Sequence, residues 1–304
     1  MRFVIVAKKM VRIIISNQIF NLILTSVLNF LKPFIPENVL FRIPKVGIVT
    51  CALSNSKRLL LFSEGDDTIA SRLYFKGLDG FEAETVQLFL RLAANSRVVL
   101  DIGANTGIYA LIAAIEDSAI EIYAFEPVPK IYERLEKNVE INKVTNLHIN
   151  SSAVTNFDGI ITLYIPNVGN MPTSSSTLQG FRKANEAIQV NAITVDSYII
   201  VNNITKIDLI KIDTEATEHL VLEGAVQTLE RYLPMIICEV LKGRTERQLQ
   251  TILDKFNYRY FWITGAGLIE RELIEGDGSY KYNNYLFIHA ENIKKISDLI
   301  IMGS

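Results

Sequence analysis

The chain has 304 residues and carries 31 basic against 33 acidic side chains, with 49% of its residues apolar. That balance supports one large domain with an extension, excludes disorder, and gives the chain as a whole no basic excess for nucleic acid. Only two cysteines, Cys51 and Cys238, occur far apart; they exclude a disulfide framework and a structural zinc site and fit a reducing, cytoplasmic compartment.

From Ile13 to Leu31 no residue is charged, and Arg2, Lys8, Lys9 and Arg12 precede the run. Its length approaches a membrane span. Yet Asn17, Asn21, Thr25 and Asn29 recur every four residues and draw one narrow polar stripe on a helix. Residues 1–35 therefore read as an amphipathic helix, lying either in a membrane interface or against protein. A spanning anchor ranks third, because the basic cluster would stay cytoplasmic and put the rest of the chain outside. A cleaved signal peptide fits poorly, for no small-x-small site follows promptly. Residues 36–79 form an extension with two small strands, "KVGIVTCAL" and "RLLLFSEGD".

From residue 80 to 290 helix and strand patterns alternate. "GFEAETVQLFLRLAA" has helical spacing; "RVVLDIG" is a buried strand, "TGIYALIAAIED" a helix, "EIYAFEP" a strand, and "PKIYERLEKNVEIN" a helix with Pro129 in its first turn. "NLHINSSAV" and "GIITLYI" read as a third and fourth strand, "IDLIKID" as another buried strand, and "EHLVLEGAVQTLERYL" as one helix. "PMIICEV", the helical "TERQLQTILDKF", "YRYFWI" and "YNNYLFIHA" close the pattern, leaving 291–304 as a tail. Such alternation implies an α/β, doubly wound, mostly parallel sheet covered on both faces. In that architecture ligands sit at the carboxyl ends of the strands. The residues found there are Asp101, Glu126, Ser152, Asp213 and Glu239, four of them acids.

A dinucleotide loop would read Gly-x-Gly-x-x-Gly and cradle a pyrophosphate. Here the loop runs Asp101-Ile102-Gly103-Ala104-Asn105-Thr106-Gly107 and lacks the second glycine. A carboxylate before the loop is a poor neighbour for a diphosphate and a good one for a cation. S-adenosylmethionine, with a sulfonium, an ammonium and no phosphate, suits it. Glu126, about twenty residues on, can accept the hydrogen bonds of a ribose; the same acid would suit NAD, so the choice rests on Asp101.

The segments "DIGANTGIYALIAA", "YAFEPVP", "IDLIKIDTEATEHLVLEGA" and "PMIICEV", with "STL" at 176–178, resemble the FkbM family of S-adenosylmethionine-dependent methyltransferases. The resemblance implies the class I methyltransferase fold of seven strands with a reversed last strand, and O-methylation of a hydroxyl on a sugar, glycan or natural product. It also implies that Gly103, Ala104, Asn105 and Gly107 line the cofactor beside Asp101, that Glu126 takes the ribose, and that Ser152 and Ala153 edge the adenine. The family pattern Asp-x-Glu-Gly-x-Glu falls on Asp213, Glu215 and Glu218, with Ala216 in place of the glycine.

Methyl transfer to oxygen needs a hydroxyl held in line and a group to take its proton. Asp213 and Glu239 end two strands; if those are neighbours, the two carboxylates face one cavity, where they could share a proton or hold a divalent cation. Asp213 could alternatively cap the next helix. Glu215 and Glu218 stand where acids favour a helix dipole in any case. His219 is a candidate base, whereas His148 and His289 read as structural. Glu82 is a candidate for the cofactor's ammonium. The polar "GNMPTSSSTLQGF" (169–181) is a candidate lid or a plain connection, and Tyr258, Tyr260, Phe261 and Trp262 a strand burying alternate rings. Two rival readings keep the fold: an NAD-binding oxidoreductase, and a non-catalytic membrane-surface protein.

Overall fold

The computed structural model describes residues 17–166, 175–178 and 184–301. It begins with helix α1 (Gln18–Leu31), the short α2 (Glu37–Leu40) and an antiparallel hairpin of β1 (Val46–Ala52) and β2 (Arg58–Glu64). Then come α3 (Thr68–Lys76), α4 (Ala83–Ala93), β3 (Val98–Ile102), α5 (Ile108–Glu116), β4 (Glu121–Phe125), α6 (Pro129–Asn142) and β5 (Leu147–Asn150). Strands β6 (Ala153–Val154), β7 (Gly159–Pro166) and β8 (Ala184–Ile193) follow, then α7 (Val195–Val201), β9 (Leu209–Ile212), α8 (Glu218–Glu223), α9 (Val226–Tyr232) and β10 (Met235–Glu239). The chain continues through α10 (Glu246–Leu253), β11 (Tyr258–Thr264), β12 (Gly267–Arg271), β13 (Asn284–His289) and β14 (Ile300–Ile301).

Among the described residues the main sheet has the order β14-β12-β11-β13-β10-β9-β3-β4-β5. β3, β4, β5, β9 and β10 run parallel, and β13 runs antiparallel to both β10 and β11. The seven strands from β5 to β11 are thus the class I methyltransferase sheet with its last strand reversed. β12 and β14 extend it at one edge, so the residues beyond 290 add a strand to it.

Alternate residues of each central strand feed opposite core layers. Val99, Ile122, Leu209 and Ile237 pack beneath α4, α5 and the β1–β2 hairpin. Leu100, Ile210 and Ile236 pack under α7 to α10. Helix α5 is apolar on every side and buried from Ile108 to Ala114; its alanines at 110, 113 and 114 let it lie close to the sheet.

Three elements differ from the reading of the sequence. "GIITLYI" is a strand, β7, but it pairs with β8 in a separate three-stranded sheet with β6. Its residues are half-exposed, as one wet face requires, whereas β9 is buried throughout. "NLHINSSAV" divides after Asn150, whose Oδ1 accepts the Ser152 N–H and turns the chain out of the main sheet. "EHLVLEGAVQTLERYL" breaks between α8 and α9. Gly224 lies so close to Thr155 O that a Cβ would stand 2.1 Å away, and Asp196 accepts the N–H groups of Gln227 and Thr228 at the new helix start.

Helix α1 is capped by the Asn17 side chain, which accepts the Phe20 N–H; residues 13–16 of the apolar run lie outside the described residues. No helix among the described residues is long and apolar enough to cross a membrane.

Candidate active site

A cavity of about 230 Å³ opens at the carboxyl ends of β3, β4, β9 and β10. The strand order reverses between β3 and β9, the place where open α/β sheets bind ligands. Asp101, Gly103, Ala104, Asn105, Glu126, Ser152, Ala153, Asp213, Glu215 and Glu239 all line it, as do Glu82 and Lys211.

The β3–α5 loop forms one wall. Asp101 is buried, and its Oδ2 accepts the Ala110 N–H, tying the strand end to the first turns of α5. Burial pushes its carboxyl up to about 7, against the opposing pull of Lys211 and that N–H. Gly103 has φ +80°, and a Cβ there would stand 1.8 Å from Asp213 O. Only glycine fits, because two strand ends meet at that point. Gly103→Ala is therefore expected to abolish binding of an adenosyl ligand by calorimetry and to lower the melting temperature; unchanged binding would show that the loop gives way. Gly107 does not line the cavity. It starts α5 at φ +91° and lies against Leu135, so its role is packing between α5 and α6. Glu126 Oε2 accepts the Asn105 N–H and Oε1 the Val128 N–H, leaving a further lone pair on each oxygen. Burial raises this carboxyl too, to about 7. Thr106 Oγ1 is buried at the cavity wall without a hydrogen-bond partner among the described residues.

The opposite wall is a charged cluster set by strand register. β9 and β10 are neighbours, so Asp213 and Glu239 do face one cavity. Lys211 is the register partner of Asp101, which places the two side chains on one face. Lys211 Nζ lies 3.4 Å from Asp213 Oδ2 and 5.3 Å from the centre of the Tyr109 ring. Burial opposes its charge, but Asp213, Glu82, Glu239 and Asp101 together raise its pKa. Glu239 pairs in register with Asn284, whose Nδ2 donates to Glu82 Oε2, as does the Tyr109 hydroxyl. Burial first, and then the charges of Asp213 and Glu215, hold the Glu239 carboxyl well above the usual carboxylate range. Asp213 also lines the cavity, with its side chain about a third exposed.

The helix-cap alternative for Asp213 is corrected: α8 begins five residues later, and the side chain is committed to Lys211. Glu218 is buried and does not line the cavity. Its Oε1 accepts the N–H groups of Thr214 and Ala216 and the Thr214 hydroxyl, so it shapes the loop that carries Asp213 and Glu215. His219 does not line the cavity either; its ring is half-buried and burial lowers its pKa. His148 on β5 pairs with Glu121 at the start of β4, and His289 accepts the Glu291 N–H. Among the described residues no three His, Cys, Asp or Glu side chains are grouped as metal ligands; the positive charge beside Asp213 is that of Lys211. Of the segment 169–181, only residues 175–178 are described. Ser176 bridges to Tyr164 and donates to Glu215 O, and Ser175, Ser176 and Thr177 reach the cavity. Tyr258, Tyr260 and Phe261 are buried in β11, away from it.

Lys211, Tyr109 and Asn284 were not singled out in the sequence. Lys211 had a signal: a lysine inside the apolar run of a strand covered on both faces.

Left-handed backbone concentrates here. Glu82, Asn105 and Glu215 have φ of 39°, 52° and 55° and line the cavity, and Ala216 has φ 74°. Ala216 stands where the resembling family has glycine, so its Cβ carries strain of about 1–2 kcal/mol. Against that, its buried methyl contributes about 0.8 kcal/mol. Ala216→Gly is expected to raise the melting temperature slightly, by about 1–2 °C; a fall would mean that the methyl's packing outweighs the strain.

The chain is similar to known methyltransferases. The model of the methyltransferase FkbM domain matches residues 101–261, more than half of the chain. The hexuronic acid methyltransferase AglP of Haloferax volcanii is 23% identical over 192 residues, covering 60% of this chain and 76% of that protein. The 31-O-demethyl-FK506 methyltransferase FkbM of Streptomyces tacrolimicus is 25% identical over 189 residues, covering 52% and 72%. Among solved structures, a methyltransferase FkbM from Methylobacillus flagellatus KT aligns with a TM-score of 0.42 at 12% identity, over 64% of this chain and 44% of that one, so this chain spans less than half its length. The glycine-bearing β3–α5 loop, Glu126 and the acidic loop after β9 all fall within the matched residues, and the chain belongs to the FkbM methyltransferase family.

Proposed function

We propose that the protein is an S-adenosylmethionine-dependent O-methyltransferase acting on a hydroxyl of a sugar or natural product. The observation that carries this reading is the pairing of Asp213 with buried Lys211 on the cavity wall, beside Glu239, whose carboxyl burial holds above the usual carboxylate range. The names of the two relatives support an oxygen acceptor of that kind.

The residues fit the cofactor. Thr106 Oγ1 has hydrogen-bonding capacity that no group among the described residues uses, Glu126 has a spare lone pair on each oxygen for two ribose hydroxyls, and Gly103 leaves the loop backbone bare. Glu82 and Asp101 give the cavity carboxyl groups suited to an ammonium. Ser152 and Ala153 provide its edge after β5. When bound, the cofactor supplies a methyl group already activated by a sulfonium. The protein's part is then to position the acceptor and take its proton. Asp213 accepts the hydrogen bond of the hydroxyl and receives the proton, which it can pass to solvent through its exposed edge. Lys211 holds the Asp213 carboxylate in place, and the proton kept on Glu239 lets that group donate to an acceptor oxygen.

The ribose role gives a pH test. Glu126 must be ionised to accept two hydroxyl hydrogen bonds beyond its two N–H partners, and its pKa lies near 7. Affinity for S-adenosylhomocysteine should therefore rise with pH, by about tenfold between about pH 6 and pH 8. Glu126→Gln should weaken binding and flatten the profile. Titration calorimetry reads both. A folded sample that takes up no ligand overturns the cofactor assignment, and a flat wild-type profile removes Glu126 from the ribose.

A further inference from the structure

Helix α1 is mounted inside out. Its polar stripe faces the protein and its apolar face does not. Asn21 and Thr25 are fully buried, and their side chains complete the joint to the next segment. Asn21 Nδ2 donates to Pro44 O at 2.7 Å, Asn21 Oδ1 accepts the Val46 N–H at 2.9 Å, and Lys45 Nζ donates to Thr25 Oγ1 at 3.0 Å. Uncharged polar groups thus take the place that a surface helix normally gives to leucine and valine. Ile19, Leu22, Ile23, Val27, Phe30 and Phe34 point away, with Ile19 74%, Phe30 84% and Phe34 86% exposed. A contiguous apolar face of this kind marks an interaction surface.

The charge carried by this stretch of the sequence identifies the partner. Residues 1–36 contain Arg2, Lys8, Lys9, Arg12 and Lys32, and none of the chain's 33 acids. The acidic side chains all lie in the remainder. A face that presents aromatic and aliphatic side chains, within a segment of purely positive charge, is complementary to an anionic lipid surface: the apolar groups enter the headgroup boundary and the basic groups meet the phosphates. A purely apolar protein groove would not call for the charge. We propose that α1 and the turn after it dock this enzyme on anionic membrane, lying in the interface without crossing it. The proposal is independent of which acceptor the active site takes.

The test uses the full chain and vesicles of phosphatidylcholine, with or without phosphatidylglycerol. The wild type should sediment with the anionic vesicles, more weakly with phosphatidylcholine alone, and several-fold less as salt rises from about 50 to about 500 mM. Phe30→Glu combined with Phe34→Glu changes two exposed positions. It should keep the melting temperature and the affinity for S-adenosylhomocysteine while weakening vesicle binding at least about tenfold. As a second readout, Phe30→Trp should shift its emission to the blue on adding anionic vesicles. A wild type that stays in the supernatant with every vesicle overturns the proposal. So does undiminished binding by the double variant, which assigns attachment to residues 1–16. A wild-type dimer that the double variant splits, without vesicle binding, makes the face a contact between copies and overturns it as well.

Discussion

Lys211→Met is expected to lower stability by about 3–5 kcal/mol at pH 8, which corresponds to about 10 °C in melting temperature, and to remove methyl transfer. The lysine is 1% exposed and is the buried cation to which Asp213, Glu82, Glu239 and Asp101 all couple. Methionine fills its volume but leaves those acids facing one another. The pH dependence follows from the sign of the shifts. Lys211 has a raised pKa, so its contribution is fully present below the ordinary lysine pKa and is lost only as pH rises through the folded value. Its partners are acids with raised values, Asp101 near 7 among them. As pH falls through about 7 that partner is neutralised and the lysine has less to offset. The deficit of the variant should therefore shrink from pH 8 to pH 5.5. The wild type should itself lose stability as pH rises from about 4 to about 7, since Asp101 and Glu126 resist ionisation in the fold. Thermal melts of both proteins at the two pH values check this; equal deficits would mean that Lys211 acts through packing alone.

What could be read from the sequence had a local signature. Asp101, Glu126, Asp213 and Glu239 were legible because each acid follows an apolar run, and a parallel sheet turns that pattern into one edge. Lys211 was within reach by the same logic in reverse, since a charge inside such a run has nowhere to go but a buried pair. The face of α1 was not legible. Periodicity shows that a helix has two faces but not which one turns inward, and here the decision lies with Pro44 O and the Val46 N–H, more than twenty residues away. Glu215 and Glu218 looked equivalent in the first turn of a helix. The structure separates them, because Glu218 accepts from the loop backbone while Glu215 sits at left-handed φ on the cavity wall. His219 attracted attention as a residue type suited to proton transfer, yet α8 turns it away from the cavity.

Asp213→Asn tests the chemistry with the least disturbance to the fold. The amide keeps the size of the carboxyl and can still donate or accept a hydrogen bond, but it cannot take a proton. Turnover should fall by about 100- to 10,000-fold, the range that a general base contributes. Affinity for S-adenosylhomocysteine should stay within a few-fold, because the loop residues and Glu126 form the other wall. The stability change should be small beside that of Lys211→Met. The side chain is about a third exposed, and Lys211 retains Glu82 and Asp101 as partners. This contrast is what makes the pair of variants informative: one removes the cation that holds the cluster, the other only the proposed proton acceptor. Transfer of labelled methyl from S-adenosylmethionine to extracts, with identification of the labelled product, supplies the assay. If Asp213→Asn turns over at the wild-type rate while Lys211→Met does not, proton transfer belongs to Glu215, which lines the same cavity, and Asp213 serves only to pair the lysine.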